Sequence, residues 1–282
     1  MKTVFSEVVK RVREMEKNLT YQTPPGKAKL KKAKWLIVGD SFNSQRIQAA
    51  IQLSGRDAKI YTVKEAWSTN FKPDPSTIVY GSPSAVERLS RLYGFNSWQD
   101  VQGLSCSSYF GNWGHVMYND NHVLYSMGEV LRQKDTLFKY FGKNDKIFIR
   151  ANSPTKPFFG GVYSEYELEQ AGKYVDKGEI CLVSTPKPKA CDYRFIIKGL
   201  KVITGCQIYP SSRKLYTSRM MDFVNSVAKH KYKGLPEIYA MDITTRLNKY
   251  KVLSLNAVNV VGWHLMDYDR IVEACSKEVE NK

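Results

Sequence analysis

KIFIRANSPTKPFFGG (146–161), EICLVSTP (179–186), DYRFIIKGLKVITG (192–205) and YAMDITTRLNKYKVLSLN (239–256) decide the fold of this chain. Each segment holds an apolar run of strand length, with a charged or amide side chain at its end or on one face. Strands ordered in this way aim Arg150, Lys156, Arg194, Asp242 and Asn256 at one cleft. Three cations, a carboxylate and an amide oxygen suit a triphosphate and its divalent cation.

The segments divide this work. KIFIR delivers Arg150 at a strand end, where a guanidinium holds phosphate bidentately and keeps its charge at any working pH. Lys156 sits in a turn-rich loop closed by Gly160 and Gly161, as a mobile point charge able to fold over phosphates. The spacing is not that of a Walker loop. Read singly, Arg150 is a surface ion pair and Lys156 a solvated loop lysine; only their shared order says otherwise. EICLVSTP reads as a buried strand offering exposed backbone around Leu182–Thr185 to the edge of an adenine. DYRFIIKGLKVITG reads as a hairpin turning at Lys198–Gly199, with Arg194 leaving the face opposite Tyr193. A second hairpin, with Asn248 in its turn, puts Asp242 and Asn256 on neighbouring strands as an oxygen pair for magnesium.

Upstream, WLIV is a buried strand, and SFNSQRIQAAIQLSG a helix closed by Gly55. AKIYTV and TIVYGS are two further strands, and Ser82 caps a helix that opens on Pro83 and runs to Tyr93. This alternation argues for a small parallel sheet. No G-x-G-x-x-G accompanies Gly39, so the segment reads as scaffold or substrate wall. Residues 96–128, rich in aromatics and glycine, read as loops with short elements, and residues 126–142 as one helix stopped by Gly142. Val4, Val8, Val9, Val12, Met15 and Leu19 space an amphipathic helix over residues 1–20, followed by a basic linker. The divisions are therefore 1–34, an N-terminal α/β domain over 35–125, and 126–282.

Composition sets outer limits. Lys and Arg total 43 against 27 acids, a formal +16, which favours polyanionic partners with nucleic acid first. The five cysteines are scattered without a C-x-x-C pair, which argues against a disulfide framework or zinc knuckle and for a reducing compartment. The four histidines lack metal-binding spacing, so any metal should be a hard cation on oxygen. No run approaches the roughly 18 apolar residues that span a bilayer, and no secretory leader opens the chain; the expected location is cytoplasmic.

The order of motifs resembles the ATP-grasp superfamily, and most closely a phage-associated clade defined by two arginines and one lysine. The resemblance covers roughly Phe138 to Ala274, with the upstream strand–helix units similar to the family's preceding domain. It implies an α/β (α+β) fold of two subdomains clasping a nucleotide, with ATP and Mg2+ as cofactors. It also implies Arg150 and Lys156 as the first signature arginine and loop lysine, and Arg194, in DYRF, as the second arginine. The adenine-facing connection falls around Val183 and Ser184, and the metal-binding acid at Asp242. The family's terminal Glu-x-Asn is matched at Asn256 but not at Ser254, which stands where the glutamate would be. Asp192 is the nearest acid to compensate.

Two functions follow from the resemblance. One is an ATP-dependent carboxylate–amine ligase acting through an acyl phosphate on a carboxylate donor and an amine acceptor, peptide or protein included. There, Arg150, Lys156 and Arg194 neutralise the moving phosphoryl group, and His264 stands by for proton transfer or structure. The other is a catalytically weakened binding module gripping nucleic acid or a host protein. Its surface would be Lys27–Lys34 with Arg213, Lys214, Arg219, Lys229, Lys231 and Lys233. Ser254 favours the second reading, and the intact Arg/Lys/Arg set the first.

Overall fold

The computed structural model describes residues 32–281 apart from 40, 100, 189–190, 211–215 and 247–248. The amphipathic helix expected over 1–20, most of the basic linker, the turn residue Asn248, and Arg213 and Lys214 lie outside the described residues. The rest is a mixed α+β unit built on three sheets.

The first sheet is parallel, in the order β2-β1-β3, with β1 at Lys34–Val38, β2 at Ala58–Tyr61 and β3 at Thr77–Tyr80. Trp35–Val38 and all of β3 are buried, as the unbroken apolar runs require of a sheet covered on both faces. Helix α1 (Phe42–Leu53) starts at Ser41, whose hydroxyl accepts from Ser44 N, and ends before Gly55 in left-handed conformation (φ +72°). A one-and-a-half-turn helix α2 (Val63–Ser68), capped by Thr62, follows β2. Helix α3 (Pro83–Tyr93) has the predicted Ser82 cap and first-turn proline, and Gly94 closes it in left-handed geometry.

Helix α4 (Cys106–Trp113) is one of the short elements within the stretch that the sequence reads as mainly loops. Its serines and Gly111 weaken the helical signal, while buried Tyr109, Phe110 and Trp113 hold it by tertiary packing. Next comes an antiparallel sheet in the order β4-β7-β5-β6. Its strands are β4 (His122–Ser126), β5 (Lys146–Ala151), β6 (Gly161–Ser164) and β7 (Ile180–Ser184). The helix expected over 126–142 divides at Gln133 into α5 (Met127–Arg132) and α6 (Lys134–Phe141). Gln133 leaves helical geometry and ends one helix where the next begins. Capping boxes at Ser126–Glu129 and Ser164–Glu167 start α5 and α7 (Glu165–Gly172).

The third sheet, β11-β10-β8-β9, is two hairpins side by side. β8 (Asp192–Lys198) and β9 (Lys201–Tyr209) turn through Gly199–Leu200, one residue later than the sequence suggests. β10 (Ile238–Arg246) and β11 (Lys249–Asn256) form the second hairpin, and β8 and β10 pair centrally. Helix α8 (Ser218–Ala228) lies on β9, and α9 (Tyr268–Glu280) closes against the first sheet. There Trp35 Nε1 donates to Ser276 Oγ at 3.0 Å, and Arg56 pairs with both Glu273 and Glu280. Trp263 stands edge-on to Trp35, Tyr80 and Tyr268, each pair worth about 0.5–1.5 kcal/mol beyond burial.

Candidate active site

The third and second sheets face each other across a cavity of about 600 Å³. On β5, Ile147 and Ile149 enter one core while Phe148 and Arg150 leave the opposite face, into the cavity. The strand-end arginine is therefore a cleft residue and not a surface ion pair. Arg150 Nη1 donates to Leu253 O at 3.2 Å, on the far sheet. That carbonyl is available because β11 bulges: Asp242 faces Ser254, Ile243 faces Val252, and Leu253 is the extra residue. Burial works against the Arg150 charge, but Cys106, Tyr109 and Asp242 outweigh it and raise its pKa.

The loop after β5 brings Lys156 back over the cleft. Its backbone is left-handed (φ 50°), and Nζ donates to Asn256 Oδ1. Gly160 makes this fold-back feasible, since a Cβ there would stand 2.8 Å from Arg150 Cβ. Burial, then the fields of Arg150 and Arg194, pull the Lys156 pKa down to about 8. Lys156 is thus no solvated loop lysine.

Arg194, Asp242 and Ser254 lie in one cross-strand row over β8, β10 and β11. Arg194 grips Asp242 with Nε to Oδ1 at 2.7 Å and Nη2 to Oδ2 at 2.9 Å, while Nη1 donates to Gly262 O at 3.1 Å. Asp242 Oδ2 also accepts from Asn256 Nδ2 at 2.9 Å and Ser254 Oγ at 3.2 Å. Burial pushes the Asp242 pKa up, yet Arg194 and Lys156 prevail and hold it below the usual carboxylate range. Asp192, buried at the start of β8, lines the same cavity.

Val183 and Ser184 stand differently from expectation. β7 is flanked by β4 and β5 along its length, and Val183 is wholly buried in the second core. The backbone expected to be exposed over Leu182–Thr185 is open only from Thr185 onward. Ser184 shares the cleft face with Phe148, and its buried hydroxyl has no hydrogen-bond partner. His264 lies beyond Gly262, with a left-handed backbone and a pKa lowered by burial and then by Arg194, against Asp242.

Sequence reasoning missed Cys106 and Tyr109, which back Arg150, and the carbonyls of Leu253 and Gly262. The carbonyls have no side-chain signal at all. Phe158 and the exposed Phe159, quoted only as part of the loop, also line the cavity.

The residues fit a nucleotide and one hard cation. Arg150 and Lys156 on the cavity wall, Arg194 held to Asp242, and the carboxylates of Asp242 and Asp192 match the donors and acceptors of a nucleoside polyphosphate with its metal. Among the described residues, no group of three or more His, Cys, Asp or Glu could hold a metal alone.

No family model matches the sequence, and no curated protein matches it. Solved structures do. D-cycloserine synthetase is similar over 88% of this chain and 100% of its own, with TM-score 0.58 at 10% identity. D-alanyl-alanine synthetase A from Vibrio cholerae O1 is similar over 89% of this chain and 98% of its own, with TM-score 0.56 at 10% identity. The ATP-grasp ligase PsnB, in complex with precursor peptide PsnA2 and AMPPNP, is similar over 88% and 98%, with TM-score 0.52 at 10% identity. This chain has the ATP-grasp fold. Among the described residues no helix is long and apolar enough to cross a membrane.

Proposed function

We propose that this ATP-grasp chain is an ATP-dependent carboxylate–amine ligase. The observation that carries the reading is the convergence of Arg150, Lys156 and Arg194, from three separate elements, around the buried carboxylate of Asp242. Such an excess of fixed positive charge in one cleft suits a polyanion that is to be opened at its terminal phosphate. Two of the similar solved structures are a D-alanyl-alanine synthetase and a peptide-bound ligase, which agrees with amide-forming chemistry.

In this reading the carboxylate oxygen of the donor attacks the γ-phosphorus of ATP, and the bond to the β-phosphate oxygen breaks. The amine then attacks the acyl phosphate and expels phosphate, leaving an amide and ADP. Arg150 is fixed by Leu253 O, which sets the fork for the phosphate chain. Lys156, on its loop, follows the moving phosphoryl group, and Arg194 holds the oxygens that gain charge. Mg2+, when bound, would supply further neutralisation of phosphate oxygens through Asp242, Asn256 and Asp192. Val183 and Ser184 lead into the open backbone at Thr185, and the adenine-facing connection would run through that backbone and not through their buried side chains. Membership of the phage-associated clade, and the boundaries 1–34, 35–125 and 126–282, are part of the same reading.

The test is transfer of label. Carboxylate pools carrying ¹⁸O are supplied with ATP and amines, peptides included; ADP release with one ¹⁸O passing to phosphate supports the acyl phosphate. ADP release without label transfer contradicts it.

One observation favours the second reading. Ser254 faces Asp242 where the family glutamate would stand, and its hydroxyl donates to that carboxylate. A weakened enzyme would then serve as a binding module. Of the surface expected for it, Arg219, Lys229 and Lys233 are exposed, while Lys231 is paired with Glu237. Steep salt dependence of DNA or RNA binding, without ADP release, would select this reading.

A further inference from the structure

The Asp242 and Asn256 oxygens that would hold a divalent cation are already held by the chain's own donors. Arg194 covers both oxygens of Asp242, at 2.7 and 2.9 Å, and Ser254 Oγ and Asn256 Nδ2 complete the shell of Oδ2. The amide oxygen of Asn256 accepts from Lys156 Nζ. Asp242 is only 7% exposed, so these contacts are formed away from bulk water.

Consider a bare divalent cation approaching this cluster. To reach Asp242 and Asn256 it must displace Arg194 and Lys156. Two cations would then lose Asp242 and Asn256 as partners, next to Arg150 and beside a new double charge. Among the described residues, Asp192 is the one other acid lining the cavity. Like charges crowded into a buried site repel strongly, so this exchange is unfavourable. Polyphosphate reverses the balance. Its oxygens can take the fork of Arg194 and the ammonium of Lys156, which frees Asp242 and Asn256 and adds phosphate ligands for the metal.

We infer that Arg194 and Lys156 act as resident counter-cations for Asp242 and Asn256, so that the divalent cation enters this site only together with the nucleotide. The inference rests on the nucleotide site of the ligase reading and adds to it the order of loading. The two ligands are then strongly coupled, and each must tighten the other by the same factor.

Mn2+ serves as the probe, followed by electron paramagnetic resonance on the full chain, with Mg2+ competition. Wild-type protein is expected to leave the free Mn2+ signal unchanged without nucleotide, and to bind Mn2+ in the presence of a non-hydrolysable ATP analogue. Arg194→Gln is expected to bind Mn2+ alone at least about tenfold more tightly than wild type, because Asp242 is uncovered. Adding Asp242→Asn to that variant should abolish the gained site. Wild-type protein that binds Mn2+ equally well with and without the analogue overturns the inference, and this arm needs no variant to fold. Arg194→Gln that binds Mn2+ no better than wild type, or a gained site that survives Asp242→Asn, also overturns it. Calorimetry with the analogue alone separates the two levels: failure to bind it removes the nucleotide reading and the inference together, whereas binding with metal loading independent of it removes the inference only.

Discussion

Replacing Lys156 by methionine should make the protein more stable while removing nucleotide binding. The wild-type ammonium is enclosed in the cleft, with its pKa brought from 10.5 to about 8 by burial first and then by Arg150 and Arg194. At about 1.4 kcal/mol per unit, holding that proton at pH 7 costs roughly 3 kcal/mol before solvent screening. Methionine forfeits the hydrogen bond to Asn256 Oδ1, worth about 1 kcal/mol net. The expected gain is therefore about 1–2 kcal/mol at pH 7. Between about pH 8 and pH 10.5 the unfolded chain binds more protons at this lysine than the native one. Wild-type stability consequently rises with pH through that window, and that contribution is lost as pH falls below about 8. The variant lacks it, so its advantage should shrink by pH 10. Urea unfolding of both proteins at pH 7, 8.5 and 10 measures this directly. A variant less stable than wild type at pH 7, or an advantage that does not change with pH, refutes the reasoning.

Three further changes probe other parts of the account. Gly160→Ala places a Cβ 2.8 Å from Arg150 Cβ, so it should destabilise by about 1–3 kcal/mol in thermal unfolding and weaken ATP binding through the displaced arginine. Ser254→Glu sets a carboxylate opposite Asp242 among three cations; Mn2+ binding in the presence of nucleotide should tighten at least about tenfold, or about 1.4 kcal/mol, and an unchanged affinity would count against Ser254 as the weak point of the site. Arg56→Ala strands Glu280 and frees Glu273 at the junction of α9 with the first sheet, which should cost about 2–3 kcal/mol in urea unfolding and leave ATP affinity unaltered.

The sequence exposes the parts of this fold that local physics controls. The Ser82–Pro83 start of α3, the double-buried WLIV strand and the two hairpins of the third sheet are each set by residues inside the segment. Arg150, Lys156, Arg194, Asp242 and Asn256 are legible because their order survives in one dimension. What surrounds them is not. Helix α4 depends on the burial of Tyr109 and Trp113 against distant elements, and its Ser/Gly composition conceals it. The open backbone after β7 begins later than the sequence suggests, because the pairing of β7 with β4 and β5 on both edges is a long-range fact. The bulge at Leu253 and the carbonyl of Gly262, which orient the two arginines, have no residue-type signature.

The central claim is that the cleft is a working nucleotide site built on Arg150. Calorimetric titration of Mg-ATP into wild-type protein and Arg150→Ala tests it without any assumption about the other substrates. Arg150 is the buried cation fixed across the two sheets by Leu253 O, and losing its charge-assisted contacts to phosphate should weaken binding by about 2–3 kcal/mol, or roughly 30- to 150-fold. Saturable one-to-one binding that Arg150→Ala reduces to that extent is the predicted result. Absence of heat in the wild type, or binding that the substitution leaves intact, would contradict the account.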